Sequence, residues 1–244
     1  MVIRLETQKE RIQIIDGLRG LAVVLMVAHH LLYNLVYFLG APEWLFTNPV
    51  FDVLRIIFAG LFIFISGISS RFSRGNIRRG LITIGLAMAI TLVTYLMDMT
   101  IWFGVLHLLG LSMLFFGLTK KLWDRLPKKL VPALLAKLLI SVQAARTAFK
   151  PKVESALLRA TLSVMGWPQS GFMSYDYFPI FPWIFVFLLG TWAGIYIIER
   201  KLPEWFYEAQ FPLFAKIGRK ALVIYLLHQP ILYAATKAIS YIMP

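Results

Sequence analysis

The chain has no cysteine among its 244 residues. That excludes disulfides, a thiolate nucleophile and cysteine-ligated metal, and it leaves the redox compartment open. Charge is scarce as well, with Asp, Glu, Lys and Arg making up only 15%. Acidic residues are the rarer sign, 12 against 25 Lys and Arg, for a net charge of +13. In a soluble protein that excess would suggest nucleic acid. Here the cations gather in short segments between apolar runs, the pattern that orients a membrane protein, so no nucleic-acid partner is expected. No internal repeat or low-complexity tract occurs. A cleavable signal peptide is not expected, because the first apolar run is too long and no small-residue cleavage pattern follows it. Metal-ligand spacings are missing too. His29 and His30 are adjacent and point about 100° apart on a helix, a poor pair for one ion.

What is abundant is apolar: 59% of residues are hydrophobic and the mean hydropathy is +0.73. Six runs approach the ~20 residues that cross a bilayer, at about 14–39, 51–70, 80–97, 102–119, 179–198 and 219–241. The segment Arg71–Arg79, the pair Lys120-Lys121, the run Glu199-Arg200-Lys201 and the pair Arg219-Lys220 carry the basic charge. The loop Gly40–Val50 has neither Lys nor Arg. Cytoplasmic loops are the basic ones, so the N-terminal arm with Arg4, Lys9 and Arg11 is expected in the cytoplasm. For span 179–198 to end on the basic side, the chain must cross once more between Lys121 and Pro179. The expected fold is therefore an all-α polytopic membrane protein, a single domain over 1–244 forming a helical bundle of about seven transmembrane spans. Six of these are clear, and the fifth is weak and unplaced within a basic, cytoplasmic amphipathic segment at about 120–165. The alternative for that segment is a helical hairpin lying on anionic headgroups.

Ionisable residues inside apolar spans are costly and tend to be used. Arg19 and His30 share nearly one face of the first span, about 16 Å apart along the axis. Counting ~1.5 Å per residue from Ile14 puts His30 about 24 Å up, near the outer edge of a ~30 Å core. The same count puts His107 in the outer part of its span and His228 near the midplane. Asp52 and Arg55, three residues apart, can pair on one helix face, as can Asp16 and Arg19. His30, His107, Asp52, Arg55, Asp98 and Asp176 thus read as an outer layer of acid–base groups. Arg19 lies near the opposite, basic surface. Each group also has a structural reading, as an interhelical hydrogen bond, an ion pair or a topological charge.

Asp16-Gly17-Leu18-Arg19-Gly20, with His30 eleven residues after Arg19, resembles the opening motif of membrane acyltransferases that acylate cell-surface glycans. A closer resemblance is to the bacterial branch of the heparan-α-glucosaminide N-acetyltransferase catalytic-domain family. It is carried by His29-His30-Leu31-Leu32-Tyr33-Asn34, Phe64-Ile65-Ser66-Gly67, Trp102-Phe103-Gly104-Val105-Leu106-His107, Asp176-Tyr177-Phe178-Pro179-Ile180-Phe181-Pro182-Trp183 and Tyr225-Leu226-Leu227-His228-Gln229-Pro230. The resemblance implies a multi-pass enzyme of the bacterial inner membrane. It would move an acyl group, in the first instance acetyl, from cytoplasmic acetyl-CoA or another acyl-CoA to a hydroxyl or amine of an extracytoplasmic glycan or lipid-linked acceptor. It also implies membrane lipid as surroundings and a possible homodimer.

On that reading the candidate catalytic residues are His30, His107, Arg19, Asp16, Arg55 and His228. CoA phosphates would bind among Arg71, Arg74, Arg78 and Arg79. Direct transfer with a histidine as general base is the simpler route, an acyl-histidine intermediate the other. Two different functions compete. One is a transporter in which the histidines relay protons, and the other is a non-catalytic membrane subunit.

Overall fold

The computed structural model describes residues 12–149 and 151–242. The arm with Arg4, Lys9 and Arg11 lies outside the described residues. These form eleven helices and no strand: α1 (Gln13–Leu39), α2 (Trp44–Thr47), α3 (Pro49–Phe72), α4 (Asn76–Leu96), α5 (Val105–Trp123), α6 (Val131–Ala148), α7 (Ala156–Met165), α8 (Ile180–Ile198), α9 (Glu204–Glu208), α10 (Pro212–Arg219) and α11 (Ala221–Ile242). Seven of them, α1, α3, α4, α5, α6, α8 and α11, are long and apolar enough to cross a bilayer. The protein is an all-α, multi-pass membrane protein.

The fifth span is α6, the least apolar of the seven. The stretch 120–165, in which a weak fifth span was expected without a position, holds this candidate span followed by the short helix α7. The cations of α6 explain why the pattern was weak. Lys137 lies on an exposed face, where its aliphatic stem can carry the ammonium toward water. Arg146 is in the last turn and donates from Nε to the Gly166 carbonyl at 2.6 Å.

The residues fall into two compact units, Met1–Phe62 with Leu202–Pro244, and Ile63–Lys201. In the first unit, α1 packs against α10 and α11. Lipid supplies no hydrophobic drive between helices, so close backbone approach at small residues matters. A Cβ on Gly20 would stand 1.9 Å from the Phe214 carbonyl oxygen, and one on Gly218 would stand 1.9 Å from that of Asp16. α1 ends at Gly40, whose φ of +66° closes the helix while its N–H bonds to the Leu35 carbonyl. α11 runs unbroken through Pro230.

The second unit repeats the device. A Cβ on Gly67 of α3 would meet the Phe187 carbonyl oxygen at 2.0 Å, and one on Gly190 of α8 the Phe64 carbonyl oxygen at 2.0 Å. Phe116, Phe187 and Leu108 are fully buried in this unit. The segment before α5 pairs with the segment before α8: Phe178 N–H donates to the Phe103 carbonyl at 2.8 Å, and Val105 N–H to Asp176 Oδ2 at 3.4 Å.

Candidate functional site

In the first unit the structure brings His30 and His228 together, although 198 residues separate them. His228 Nε2 and His30 Nδ1 are 2.8 Å apart, with ring centroids at 4.9 Å. The partners decide the protons. His228 Nδ1 lies 2.7 Å from the Tyr225 carbonyl, which only accepts, so Nδ1 carries a hydrogen. In the neutral ring Nε2 is then bare and accepts from His30 Nδ1–H. His30 Nε2 is left as the basic end of a relay that starts at the Tyr225 carbonyl. A histidine held in one tautomer by a second group is the arrangement that general-base catalysis requires.

Counting rise from each helix start had put His30 near the outer edge and His228 near the midplane; a direct hydrogen bond excludes different depths. The cause is the contact of α1 with α10. Gly20 and Gly218 abut, and each histidine lies ten residues further on, about 15 Å along its chain. The helices are in step from that contact, and not from the two places where they start.

Two side chains near this pair were not singled out as site residues in the sequence. Asn34, four residues after His30, is fully buried, and Gln229 follows His228 directly. Gln229 Nε2 donates to Asn34 Oδ1 at 3.3 Å. The bond leaves Asn34 Nδ2 and Gln229 Oε1 buried without partners, a costly condition that a bound polar ligand would relieve. The signal was available: Asn34 is a polar residue one turn from His30 on an apolar helix.

Arg19 and Asp16 form an ion pair at 2.7 Å, both side chains largely buried. Gly17 and Gly20 of the same motif face α10, so part of this motif serves packing. Arg55 and Asp52 stand 3.5 Å apart on an exposed face of α3. His29 stacks near Phe46, ring centroids 5.0 Å apart.

In the second unit His107 is occupied at both ring nitrogens. Nδ1 accepts the Gly104 N–H at 3.2 Å, capping the start of α5. Nε2 lies 3.2 Å from Thr91 Oγ1, whose hydroxyl in turn donates to the Ile101 carbonyl at 2.6 Å. No lone pair of His107 remains for a substrate. Nearby, burial pushes the Tyr177 phenol up to about 12, against a smaller opposing effect of Arg146. It stays protonated and donates to the Ser163 carbonyl at 2.5 Å.

The arginines of the basic segment divide between two places. Arg71 pairs with Asp124 at 2.6 Å, lies over the Phe116 ring, and lines a cavity of about 350 Å³ with Lys120, Lys128, Trp123 and Trp192. Glu199 borders it, bonded to Lys128 and to Lys201. Those two bonds, that to Lys128 first, hold its carboxyl at about 2. Arg74 and Arg78 instead line a second cavity, which shares Lys120 with the first. Arg79 is exposed and lines neither. Among the described residues no three His, Asp or Glu side chains converge as metal ligands would.

A family model described as heparan-alpha-glucosaminide N-acetyltransferase, catalytic, matches residues 11–230. No curated protein and no solved structure matches the chain.

Proposed function

The chain belongs to the heparan-alpha-glucosaminide N-acetyltransferase catalytic family, and from that premise we propose that it is a membrane acyltransferase using the His30–His228 pair as its base. The donor is acyl-CoA, in the first instance acetyl-CoA. The acceptor is a hydroxyl or amine of a glycan or lipid-linked molecule on the side opposite the basic loops. By the charge of those loops the basic side is the cytoplasm, and the resemblance to the family's bacterial branch makes the membrane a bacterial inner membrane.

His30 Nε2 takes the proton of the acceptor as its oxygen or nitrogen attacks the thioester carbonyl. The tetrahedral oxyanion is within the chemistry of Asn34 Nδ2, a buried donor that lacks a partner. Collapse breaks the carbon–sulfur bond, and the departing CoA thiolate recovers the proton from His30. His228 accepts the Nδ1 hydrogen throughout and steadies the positive charge on His30. The phosphates of CoA find their best match in the cavity of Arg71, Lys120 and Lys128, with Trp123 and Trp192 offering faces to the adenine. Arg19 and Asp16 are read as a positioning pair for α1.

The observation that carries the reading is the 2.8 Å contact that leaves His30 Nε2 as the basic end. It is tested by thermal stability with CoA and acetyl-CoA, together with acetyl-CoA turnover, in wild type, His30→Ala and His228→Gln. CoA should stabilise all three. Turnover should fall by about 10²–10⁴-fold in His30→Ala, and much less in His228→Gln, where an amide oxygen can still accept the Nδ1 hydrogen. Undiminished turnover in His30→Ala moves the base elsewhere. No stabilisation by any CoA species favours the transporter or the non-catalytic subunit.

A further inference from the structure

The turn between α3 and α4 borders an open cavity of about 760 Å³ in the second unit. Arg74, Arg78 and Lys120 line it, and none of the three side chains takes part in an ion pair or hydrogen bond among the described residues. Arg71, close by in sequence, already has its carboxylate. Three uncompensated cations around one cavity call for an anion, and the N-terminus of the 21-residue α4 adds to the same potential.

A second observation restricts which anion. Asn76, the first residue of α4, is 5% exposed and lines the cavity. Its Nδ2 donates to the Ser70 carbonyl at 2.8 Å, while its Oδ1 is buried without a donor. The ligand should therefore bring a hydrogen-bond donor close to its negative charge. Besides Ser73, Gly75 and Gly117, the wall has an apolar side of Ile77, Leu81 and Ile82, exposed by 43%, 56% and 52% along a candidate membrane span. A soluble polyanion has nothing to lay against that wall.

We propose that this cavity binds a glycerophospholipid whose headgroup carries a hydroxyl or ammonium donor. The phosphodiester sits among Arg74, Arg78 and Lys120, the headgroup donor reaches Asn76 Oδ1, and the acyl chains lie along Ile77, Leu81 and Ile82. The inference shares Lys120 with the CoA cavity proposed above and rests on Arg74, Arg78 and Asn76, which that cavity does not use.

The test is lipid retention by the purified full chain, measured by native mass spectrometry against phosphatidylglycerol, phosphatidylethanolamine and phosphatidylcholine with matched acyl chains. The first two should bind about tenfold better than phosphatidylcholine, whose trimethylammonium cannot donate to Asn76. A double variant, Arg74→Ala with Arg78→Ala, should lose about 30-fold in phosphatidylglycerol affinity, from two juxtamembrane cations at ~1 kcal/mol each. Arg219→Ala with Lys220→Ala, an equal loss of charge in the other unit, should leave retention unchanged. Equal binding of all three lipids overturns the proposal, as does equal loss in both double variants. Displacement of bound lipid by CoA, with CoA-dependent stabilisation lost in the Arg74/Arg78 variant, overturns it in favour of the donor's phosphates.

Discussion

Replacing Gly20 or Gly218 by Ala probes whether the motif around Arg19 is built for packing as well as chemistry. Each new Cβ would lie 1.9 Å from an opposing carbonyl oxygen, where van der Waals contact needs about 3.5 Å. Both obstacles are backbone, so no side chain can swing away, and α1 and α10 must part by roughly 1.5 Å. Overpacking of this kind costs about 1–3 kcal/mol, or a fall of about 2–12 °C in melting temperature for a chain of this size. The two glycines also face each other: each added Cβ would approach the other glycine's backbone nitrogen to 2.9 Å. The first substitution makes room for the second, so the double variant should lose clearly less than the sum of the singles. Gly85, in the middle of α4 with nothing within 4 Å of its added Cβ, is the control; Gly85→Ala should be neutral or stabilise by up to ~1 kcal/mol. Melting of the detergent-purified protein, followed by fluorescence-detected size exclusion, reads all four variants. Gly20→Ala melting with the wild type, or a strictly additive double variant, would refute the close crossing of α1 and α10.

His107→Ala should leave the Gly104 N–H without its acceptor and Thr91 Oγ1 with the Ile101 carbonyl alone, at about 1–3 kcal/mol of stability. At a temperature where the variant is folded, acetyl-CoA turnover should persist, since both nitrogens of His107 already serve the protein. Arg71→Ala should weaken CoA-dependent stabilisation, while Arg74→Ala and Arg78→Ala leave it intact; equal effects would mean that the two cavities act as one. Glu199 should add a dependence on acid pH. Its folded carboxyl titrates at about 2 against an ordinary 4.5, so its bonds to Lys128 and Lys201 contribute above pH 4.5 and are lost as pH falls toward 2. Thermal melts from pH 5 to pH 3 should fall more steeply in wild type than in Glu199→Gln, and parallel curves would refute the assignment.

Much of the fold was legible because membrane partition is a local property of some twenty consecutive residues. Six spans could be read directly, and the alternation of basic and neutral loops required a seventh, which α6 supplies. α6 itself was hard to place because Lys137 and Arg146 disguise an apolar helix, and the favourable geometry of each depends on its surroundings. The sequence also supplied the motif pieces, and within each unit the structure joins them in pairs. Phe64–Gly67 packs on Phe187 and Gly190, Trp102–Val105 pairs with Asp176–Phe178, and His30 meets His228.

Those pairings are what the tertiary structure alone decided. Counting rise along a helix gives depth only if every helix starts at the same level, and the Gly20–Gly218 contact sets α11 in step with α1 by a different rule. The same contact puts His228 beside His30, fixes its tautomer and leaves Nε2 basic, while His107, equally conspicuous in the sequence, spends both nitrogens on capping α5 and on Thr91. The run from Arg71 to Arg79 reads as one cluster along the chain, yet the end of α3 turns Arg71 toward Asp124 and leaves Arg74 and Arg78 to another cavity. Sequence determines which segments enter the membrane, because that free energy is summed over neighbours in the chain. Which polar groups meet depends on helix faces and vertical offsets set by glycine contacts distant in the chain, because a hydrogen bond tolerates only a few tenths of an ångström.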